Sequence, residues 1–277
     1  ANQAGDTNWN AAPQVQQSFA VGKGSQSITI TSTAPASAVV GGATYAVVAT
    51  ATSGLTVAFT SGAPSICTVS GSTVSFIAVG TCVVNANQAG DTNWNAATQV
   101  QQSFAVGKGA QSISITSTAP ASAAVGGASY TITATATSGL TVAFTSGAPS
   151  ICTVSGSTVS FIAVGTCVVN ADQAGDTNWN AAPQVQQSFA VGKGAQTITI
   201  TSTAPASAVV GGATYAAVAT ATSGLTVAFT SGAPSICTVS GSTVSFIAVG
   251  TCVVNANQAG DTNWNAAPQV QIGRAHV

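Results

Sequence analysis

Charge is almost absent from this chain, and so are most of the side chains that carry acid–base catalysis. Only 3% of the 277 residues are charged, with four Lys and Arg against five acids, all of them aspartate. There is no methionine and one histidine. Because histidine and glutamate are leading general acids and bases, this composition argues against an enzyme, and we expect no catalytic residue, metal or cofactor. The nearly balanced charge also leaves no basic surface for nucleic acid.

Long apolar runs are missing too, although 45% of the residues are hydrophobic. Thr, Ser, Asn and Gly interrupt the apolar residues throughout, so no run approaches the roughly 18 residues that a transmembrane helix requires. We therefore expect no membrane span in this stretch of sequence.

The chain does contain an internal repeat. Its tryptophans recur every 85 residues, at positions 9, 94, 179 and 264. This period exceeds that of most solenoid units and fits an independent small domain. Glycines that flank the lone lysines indicate linkers. We therefore predict that residues 1–22 end a preceding repeat and contain its C-terminal strand at 14–21. Three tandem repeats follow at 23–107, 108–192 and 193–271, and a tail at 272–277.

The last of these segments departs from the repeat. After Gln271 the sequence Gln-Ser-Phe-Ala-Val-Gly is due, and residues 272–277 read Ile-Gly-Arg-Ala-His-Val instead. We interpret this hexapeptide as a non-native tail, which leaves the last strand of the third repeat incomplete. This interpretation removes the only arginine and the only histidine from functional consideration. A natural divergent tail is the alternative.

Within the first repeat, short segments alternate between apolar and polar residues with the period of two that is typical of half-buried strands. Gly, Pro, Ser and Asn separate these segments at the spacing of about 8 to 12 residues that is usual in β-sandwiches. We therefore predict an all-β fold in which each repeat is an antiparallel β-sandwich, with strands in the first repeat at 27–31, 45–49, 55–59, 73–76, 82–86 and 100–106.

The three copies indicate which face of one strand is buried. Positions 47, 132 and 217 hold Val, Ile and Ala, whereas positions 131 and 133 on either side hold Thr in the second copy. Tolerance of Thr predicts that these flanking positions face water. For the first repeat we predict a core of Tyr45, Val47, Leu55, Val57, Phe59, Val74, Phe76, Val84 and Phe104.

The six cysteines recur as one pair per repeat. A zinc site would need four close ligands and a redox site a Cys-x-x-Cys motif, and the sequence has neither. A small sandwich buries little apolar surface, and a cross-link that closes about 15 residues contributes about 3 kcal/mol in the chain-entropy model. We predict disulfides formed in an oxidising compartment, with reduced cysteines packed as small hydrophobic residues as the alternative. The pairs are Cys67 with Cys82, Cys152 with Cys167, and Cys237 with Cys252.

Two segments of each repeat resemble a known family. In the first repeat they are Val57–Gly71, which runs from an aromatic strand through Ala-Pro-Ser-Ile-Cys-Thr-Val to a glycine turn, and Val79–Ala86 with its Gly-Thr-Cys-Val-Val. They resemble bacterial immunoglobulin-like domains of the group found in invasin- and intimin-type surface proteins. The resemblance implies an immunoglobulin-like sandwich and a spacer or adhesive role in a secreted or surface-anchored protein. Cys67 and Cys82 replace small residues of the family pattern, and Phe59 replaces its usual Trp, which indicates a disulfide-stapled subfamily.

One loop attracts attention because four of the five acids occupy its equivalent position. In the first repeat this loop is Gly90–Asn95, and its Asp-x-Asn-x-Asn resembles the start of an EF-hand calcium loop. The sixth position, however, is Ala96 where the motif needs Gly, and the bidentate Glu is missing. We therefore predict an Asx-type turn in which Asp and Asn side chains cap backbone N–H groups.

The tryptophan of this loop has two interpretations. An exposed ring at a loop tip suits stacking on a sugar, whereas a buried ring would stiffen the junction with the preceding repeat. In such a sandwich the last hairpin loop lies at the same end as the N-terminus of the repeat, which favours the junction. The residues assigned to this junction, or alternatively to a ligand loop, are Asp91, Asn93, Trp94, Asp176, Asn178, Trp179, Asp261 and Trp264.

Together these features predict a non-catalytic spacer or stalk from an adhesin-like bacterial protein, located outside the cell or on its surface. Its expected partners are the neighbouring repeats of the same chain, and glycans or proteins of a host or cell surface. The alternative is a module that binds carbohydrate or another cell-surface polymer through the tryptophan loops, with the repeats adding avidity.

Overall fold

The computed structural model describes residues 1–276, with side chains described through Ile272. Over this range β-strands are the regular secondary structure, and the elements include no helix that could cross a membrane. The chain forms two compact units. One comprises Ala1–Ala110 together with Asp176–Asn180, and the other comprises Gln111–Gly175 together with the described residues from Ala181 onward.

The first unit contains the strands of the first repeat. They are short because turn-forming Gly, Pro and Ser interrupt the alternating pattern every few residues. In chain order they are β1 (Ile28–Ile30), β2 (Ala38–Val39), β3 (Tyr45–Ala46), β4 (Ala49–Ala51), β5 (Ala58–Ser61), β6 (Cys67–Ser70), β7 (Thr73–Phe76), β8 (Gly80–Asn87) and β9 (Val100–Gly107).

These strands form two packed layers. In one layer, β2, β9, β8 and β5 lie side by side, with β2 parallel to β9 and the other pairs antiparallel. The other layer holds β3, β7 and β6, together with the antiparallel pair of β1 and β4. This is the strand arrangement of an immunoglobulin-like sandwich, so the predicted fold class is confirmed.

The second unit begins with a set of strands that repeats this arrangement. One layer has the order β11, β18, β17, β14, and the other holds β12, β16 and β15 with the pair of β10 and β13. The strands are β10 (Ile113–Ile115), β11 (Ala123–Ala124), β12 (Tyr130–Thr131), β13 (Ala134–Ala136), β14 (Ala143–Ser146), β15 (Cys152–Ser155), β16 (Thr158–Phe161), β17 (Gly165–Asp172) and β18 (Val185–Gly192).

The last set of strands differs at its C-terminal end. Its first layer is three-stranded, in the order β22, β25, β26, and within the described residues it has no counterpart of β2. Residues of the predicted tail take part in the last strand, whose pairing shifts register between Cys252 and Val254. The strands are β19 (Ile198–Ile200), β20 (Tyr215–Ala216), β21 (Ala219–Ala221), β22 (Ala228–Ser231), β23 (Cys237–Ser240), β24 (Thr243–Phe246), β25 (Thr251–Asn257) and β26 (Val270–His276).

The core follows the alternation of the strands. Every second residue of β8, from Cys82 through Val84 to Ala86, is buried, and the residues between them are more exposed. Val48, on the side predicted to face water, is exposed. Of the nine residues predicted for the core of the first repeat, six are buried and three (Tyr45, Leu55 and Phe59) are half-buried.

Some strand bounds differ from the sequence-based prediction. The segment predicted at 45–49 is divided between β3 and β4, and the strand predicted at 55–59 begins only at Ala58. The prediction missed β2 and β6. β2 is two residues long and pairs with a strand far along the chain, so it leaves no periodic pattern. Residues 14–21 are assigned to no strand in the described structure, although Val15 exchanges main-chain hydrogen bonds with Ala1.

Each disulfide joins the two layers of a sandwich. Cys67 at the start of β6 is bonded to Cys82 in β8, and their Cα atoms are 5.5 Å apart. Both residues are fully buried in the core. The pairs Cys152–Cys167 and Cys237–Cys252 repeat this bond, and the described residues include no free cysteine. The cross-link therefore ties one sheet to the other within each sandwich.

Candidate functional site: the tryptophan loops

The tryptophan loops are closed by their own aspartate. In the loop of the third repeat, Asp261 Oδ1 accepts hydrogen bonds from the backbone N–H groups of Asn263 and Trp264, both at 2.8 Å. The Asp261 N–H in turn donates to the carbonyl oxygen of Trp264 at 3.0 Å. The loops at Asp91 and Asp176 have the same bonds. The carboxylate thus satisfies backbone donors of a tight turn, as a short acidic side chain does in an Asx turn.

The loops at Asp91, Asp176 and Asp261 are also fastened to the linker at the start of their own repeat. Gly194 N–H donates to the Asn263 carbonyl oxygen at 2.8 Å, and Asn265 N–H donates back to the Gly194 carbonyl oxygen at 2.9 Å. The Lys193 ammonium donates to the carbonyl oxygen of Asp261 at 2.5 Å. Since the lysine meets a backbone carbonyl, its role in this contact does not depend on an ion pair.

In the second unit, the ring of Trp264 lies between two glycines from different repeats. A Cβ atom built on Gly126 of the second repeat would lie 2.6 Å from Cη2 of the indole, and one built on Gly194 of the third repeat would lie 2.6 Å from Cζ3. The ring also packs against the buried core cluster of the second repeat. Any side chain at either glycine would occupy space that the indole now fills.

A side-chain hydrogen bond accompanies the ring. The backbone N–H of Val164, in the second repeat, donates to Asn263 Oδ1 at 3.0 Å. In the first unit, the loop Asp176–Asn180 makes the same contacts with the first repeat. Val79 N–H donates to Asn178 Oδ1 at 2.9 Å, and Trp179 lies against Gly41. Two copies of the loop therefore cover the same surface of the repeat that precedes them.

Within the described residues, the other two copies of the loop do not make these contacts. Trp94 lies against Gly24 of its own linker, and the sequence contains no counterpart of Gly126 ahead of it. Trp9, in the segment that precedes the first repeat, is 77% exposed. The identical sequence Ala-Asn-Gln-Ala-Gly-Asp-Thr-Asn-Trp-Asn surrounds these two rings and Trp264, so the different contacts of the rings come from residues outside this segment.

No family model and no curated protein matches the chain. Solved structures that it resembles include the surface layer protein SbsC, domains 1–6, at 17% identity and a TM-score of 0.28, covering 98% of this chain and 43% of that one. The immunoglobulin domains 1–5 of Sidekick-1 match at 14% identity and a TM-score of 0.37, with coverages of 90% and 58%. Drosophila N-cadherin EC1–4 matches at 11% identity and a TM-score of 0.26, and the match covers 79% of this chain and 66% of that one.

The chain therefore spans 43% of the surface layer protein structure, 58% of the Sidekick-1 structure and 66% of the N-cadherin structure. At these identities and TM-scores, the matches assign neither a ligand nor an activity to it. The proposed function therefore rests on the contacts observed within this chain.

The surface beneath the tryptophan was missed by sequence reasoning. The Gly-Gly pair at 41–42 and its copies are among the turn-forming glycines that separate the predicted strands, and nothing in the local sequence marks Gly126 or Val164 as a contact of residues more than one repeat length further along. Among the described residues, no three His, Cys, Asp or Glu side chains lie together as metal ligands would.

Replacing Gly126 with alanine is expected to disturb the indole packing, whereas Gly211→Ala costs only backbone strain. Both glycines have positive φ, 65° and 67°, so each substitution carries the same penalty of about 1–2 kcal/mol. Only at Gly126 would the new Cβ also meet Trp264, since nothing lies within 4 Å of one on Gly211. We expect a further loss of about 1–2 kcal/mol for Gly126→Ala from overpacking. Urea unfolding followed by tryptophan emission measures this difference, and equal losses for the two variants would contradict it.

Proposed function

We propose that this chain consists of non-catalytic spacer repeats from a secreted or surface-anchored bacterial protein with an adhesin-like role. In this proposal the ranges 23–107, 108–192 and 193–271 are successive domains, and their main partners are one another. The observation that carries it is the contact of Trp264 and Asn263 with the second repeat. A loop that repeats in every domain and fits the surface of its predecessor is what a load-bearing array needs.

The geometry of the indole supports a mechanical role over a ligand-binding one. Gly126 and Gly194 both lie against the six-membered ring of the indole, so a sugar could not stack on that part of the ring without displacing one of the two repeats. The asparagine oxygen beside it is occupied by the Val164 N–H. Contacts between domains reduce their relative motion when they combine apolar packing with hydrogen bonds. The loops of the second and third repeats therefore serve as braces to the repeats that precede them.

The disulfides support a location outside the cytoplasm. Three buried cross-links, one in each sandwich, require an oxidising compartment to form and persist. The abundance of Ser and Thr on exposed strand faces solvates the sandwiches without charge. Both features suit a chain that works in a secreted or cell-surface setting.

We further propose that the sandwiches belong to the bacterial immunoglobulin-like domains of the invasin and intimin type. The support is the resemblance of Val57–Gly71 and Val79–Ala86 to that family, together with the observed sandwich. In this structure the two segments form β5, β6 and most of β8, and the cysteines that distinguish them from the family pattern form the cross-link between layers.

The brace is tested by removing one ring and comparing it with a matched control. Trp264→Ala removes an indole that lies on the second repeat, and Trp94→Ala removes an indole whose described contacts are with its own linker. We expect Trp264→Ala to broaden the distance distribution in small-angle scattering and to speed hydrogen exchange at the Val164 amide about five- to tenfold, the equivalent of one lost hydrogen bond. Trp94→Ala should leave both unchanged. Identical behaviour of the two variants would remove the basis of the spacer proposal.

A second candidate function is carbohydrate binding through the loops, and it is favoured by the exposed ring of Trp9. An accessible indole beside Asp6 and Asn8 provides the stacking face and polar groups that sugar sites use. Screening the chain against a glycan array, followed by titration with tryptophan emission as the signal, separates the two functions. Saturable quenching that is lost in Trp9→Ala would favour the binding module, and silence across the array would favour the spacer.

A further inference from the structure

In the first and second repeats, the last strand of the sandwich pairs with a short strand that runs parallel to it. In the second repeat, β11 lies beside the end of β18, with Ala124 opposite Gly192. The Val125 N–H then donates to the Gly192 carbonyl oxygen at 3.0 Å. In the first repeat β2 lies beside β9 in the same way, and the Val40 N–H donates to the Gly107 carbonyl oxygen at 3.0 Å. We call the parallel pair together with this hydrogen bond the clamp of its repeat.

The clamp lies where tension on the chain would act. The chain enters the second repeat through the linker before β10 and leaves it directly after Gly192, the last residue of β18. Tension therefore pulls β10 and β11 toward the N-terminus and β18 toward the C-terminus. Because β11 and β18 run parallel, these opposite pulls slide one strand along the other and load their hydrogen bonds together. A pull that opens a hairpin breaks its bonds one after another, so the clamp is the stronger arrangement under load.

In the second unit, the ring of Trp264 lies on the clamp of the second repeat. The two glycines against its six-membered ring, Gly126 and Gly194, directly follow the two strands of the clamp. Gly126 comes after Val125, and Gly194 comes two residues after Gly192. The ring also packs against the core cluster to which Val125 belongs. The indole therefore covers both strands at the end where they leave the sheet.

The ring and the linker together bury the donor side of the clamp. Val125 is 5% exposed, and Gly194 is buried as well. A Cβ atom built on Gly194 would lie 2.3 Å from the Val125 carbonyl oxygen, so the linker passes directly over this residue. Hydrogen bonds are electrostatically stronger in surroundings of low dielectric constant than in water. Removal of the indole would admit water to the clamp and weaken it.

The loop that carries the ring also holds the linker through which tension leaves the second repeat. Gly194 exchanges main-chain hydrogen bonds with Asn263 and Asn265, at 2.8 and 2.9 Å. The side chain of Asn263 accepts the Val164 N–H of the second repeat at 3.0 Å. The loop thus binds the linker and the body of the second repeat at the same time. For β18 to slide past β11, at least one of these contacts has to break.

In the first unit, the loop Asp176–Asn180 makes the same contacts with the clamp of the first repeat. A Cβ atom built on Gly41 would lie 2.8 Å from Cη2 of Trp179, and one built on Gly109 would lie 2.7 Å from Cζ3. The Gly109 N–H donates to the carbonyl oxygen of Asn178 at 2.9 Å. Both clamps are therefore covered by a ring that belongs to the following repeat.

We propose that the tryptophan loop is a mechanical lock, by which a folded repeat strengthens the clamp of the repeat before it against tension. The proposal rests on the spacer function and gives the array a direction. Trp179 packs against the core cluster of the first repeat and Trp264 against that of the second, so each ring locks the predecessor of its own repeat. When one repeat unfolds under load, the clamp of its predecessor loses its cover, and rupture spreads toward the N-terminus.

Single-molecule stretching tests the lock in the full chain, held by handles at its two ends with the three disulfides formed. The second repeat is marked by about ten Gly and Ser residues inserted after Ala121, in an exposed loop that tolerates added length. The insertion lengthens the extension released by this repeat by about 35 Å, which identifies its unfolding event. We expect Trp264→Ala to raise the unfolding rate of the marked repeat at constant force about tenfold.

The matched control removes the same side chain from the marked repeat itself. Trp179→Ala should leave the unfolding rate of the marked repeat unchanged, because that ring lies on the first repeat, and it should speed one unmarked event instead. If each ring only stabilised its own repeat, Trp179→Ala would be the variant that weakens the marked one. Equal acceleration of the marked repeat by both variants, or by neither, would overturn the lock.

Two further readouts keep the result interpretable. The marked increment itself shows, in every trace, that the second repeat was folded before it was pulled. Small-angle scattering of Trp264→Ala separates the lock from the spacer function. A broader distance distribution with an unchanged unfolding rate under force would mean that the loop braces the junction and does not lock the clamp. Unchanged scattering together with unchanged rates would contradict both proposals.

Discussion

Replacing Cys152 and Cys167 together by alanine is expected to lower the free energy of unfolding of the second repeat by about 3 kcal/mol, within the usual range of about 2–5. The bond closes a loop with a sequence separation of 15 and joins β15 in one layer to β17 in the other. Both cysteines are fully buried, so the variant also loses sulfur contacts in the core. For a domain of this size, such a loss is a large share of the total stability.

A reductant distinguishes the contribution of the disulfide to stability from that of the packing of the cysteine side chains. Urea unfolding is measured with and without dithiothreitol, for the unaltered chain and for the double variant. We expect dithiothreitol to lower the unfolding midpoint of the unaltered chain and to leave the second repeat of the double variant unmoved. A double variant as stable as the oxidised chain would show that the bond contributes nothing measurable to the fold.

The elements that could be predicted from sequence are those fixed by nearby residues. The alternation in Thr73–Phe76 marks β7, and the Asp-x-Asn-x-Asn spacing marks the Asx turn, because in both cases the deciding contacts lie within a few residues. The pairing of the cysteines was likewise indicated by their recurrence at a constant interval. The sheet layers followed from the number and spacing of strands.

Other features depend on contacts that sequence reasoning does not reach. β2 exists because Ala38 and Val39 lie beside residues 106 and 107, and the surface around Gly126 becomes a contact only when the next repeat follows. Identical sequences in different surroundings give the clearest evidence that burial depends on distant contacts. Phe19 and Phe104 share eight identical residues of local sequence, yet one faces solvent and the other packs in a core, since only the second has a neighbouring strand. The burial of this phenylalanine therefore depends on the neighbouring strand and is not determined by the eight-residue segment itself.

The buried copies of Phe19 lead to a second substitution with a large expected effect on stability. Phe189→Ala is expected to destabilise the second repeat by about 3–5 kcal/mol, because a ring that is 9% exposed leaves a cavity between Tyr130 and Phe161. The ring centroids lie 5.7 and 5.8 Å from Phe189 in edge-on geometry, so the variant also loses two favourable aromatic contacts. Chemical denaturation followed by circular dichroism measures the loss.

Phe19→Ala is the matched control for this prediction, since it makes the same change within the same local sequence at an exposed site. It should alter stability by less than about 0.5 kcal/mol, the range usual for surface substitutions. A loss below about 1 kcal/mol for Phe189→Ala would mean that the sandwich closes around the missing ring. A full loss would show that the second sandwich depends on the phenylalanine of its last strand, which packs between two other rings in the core.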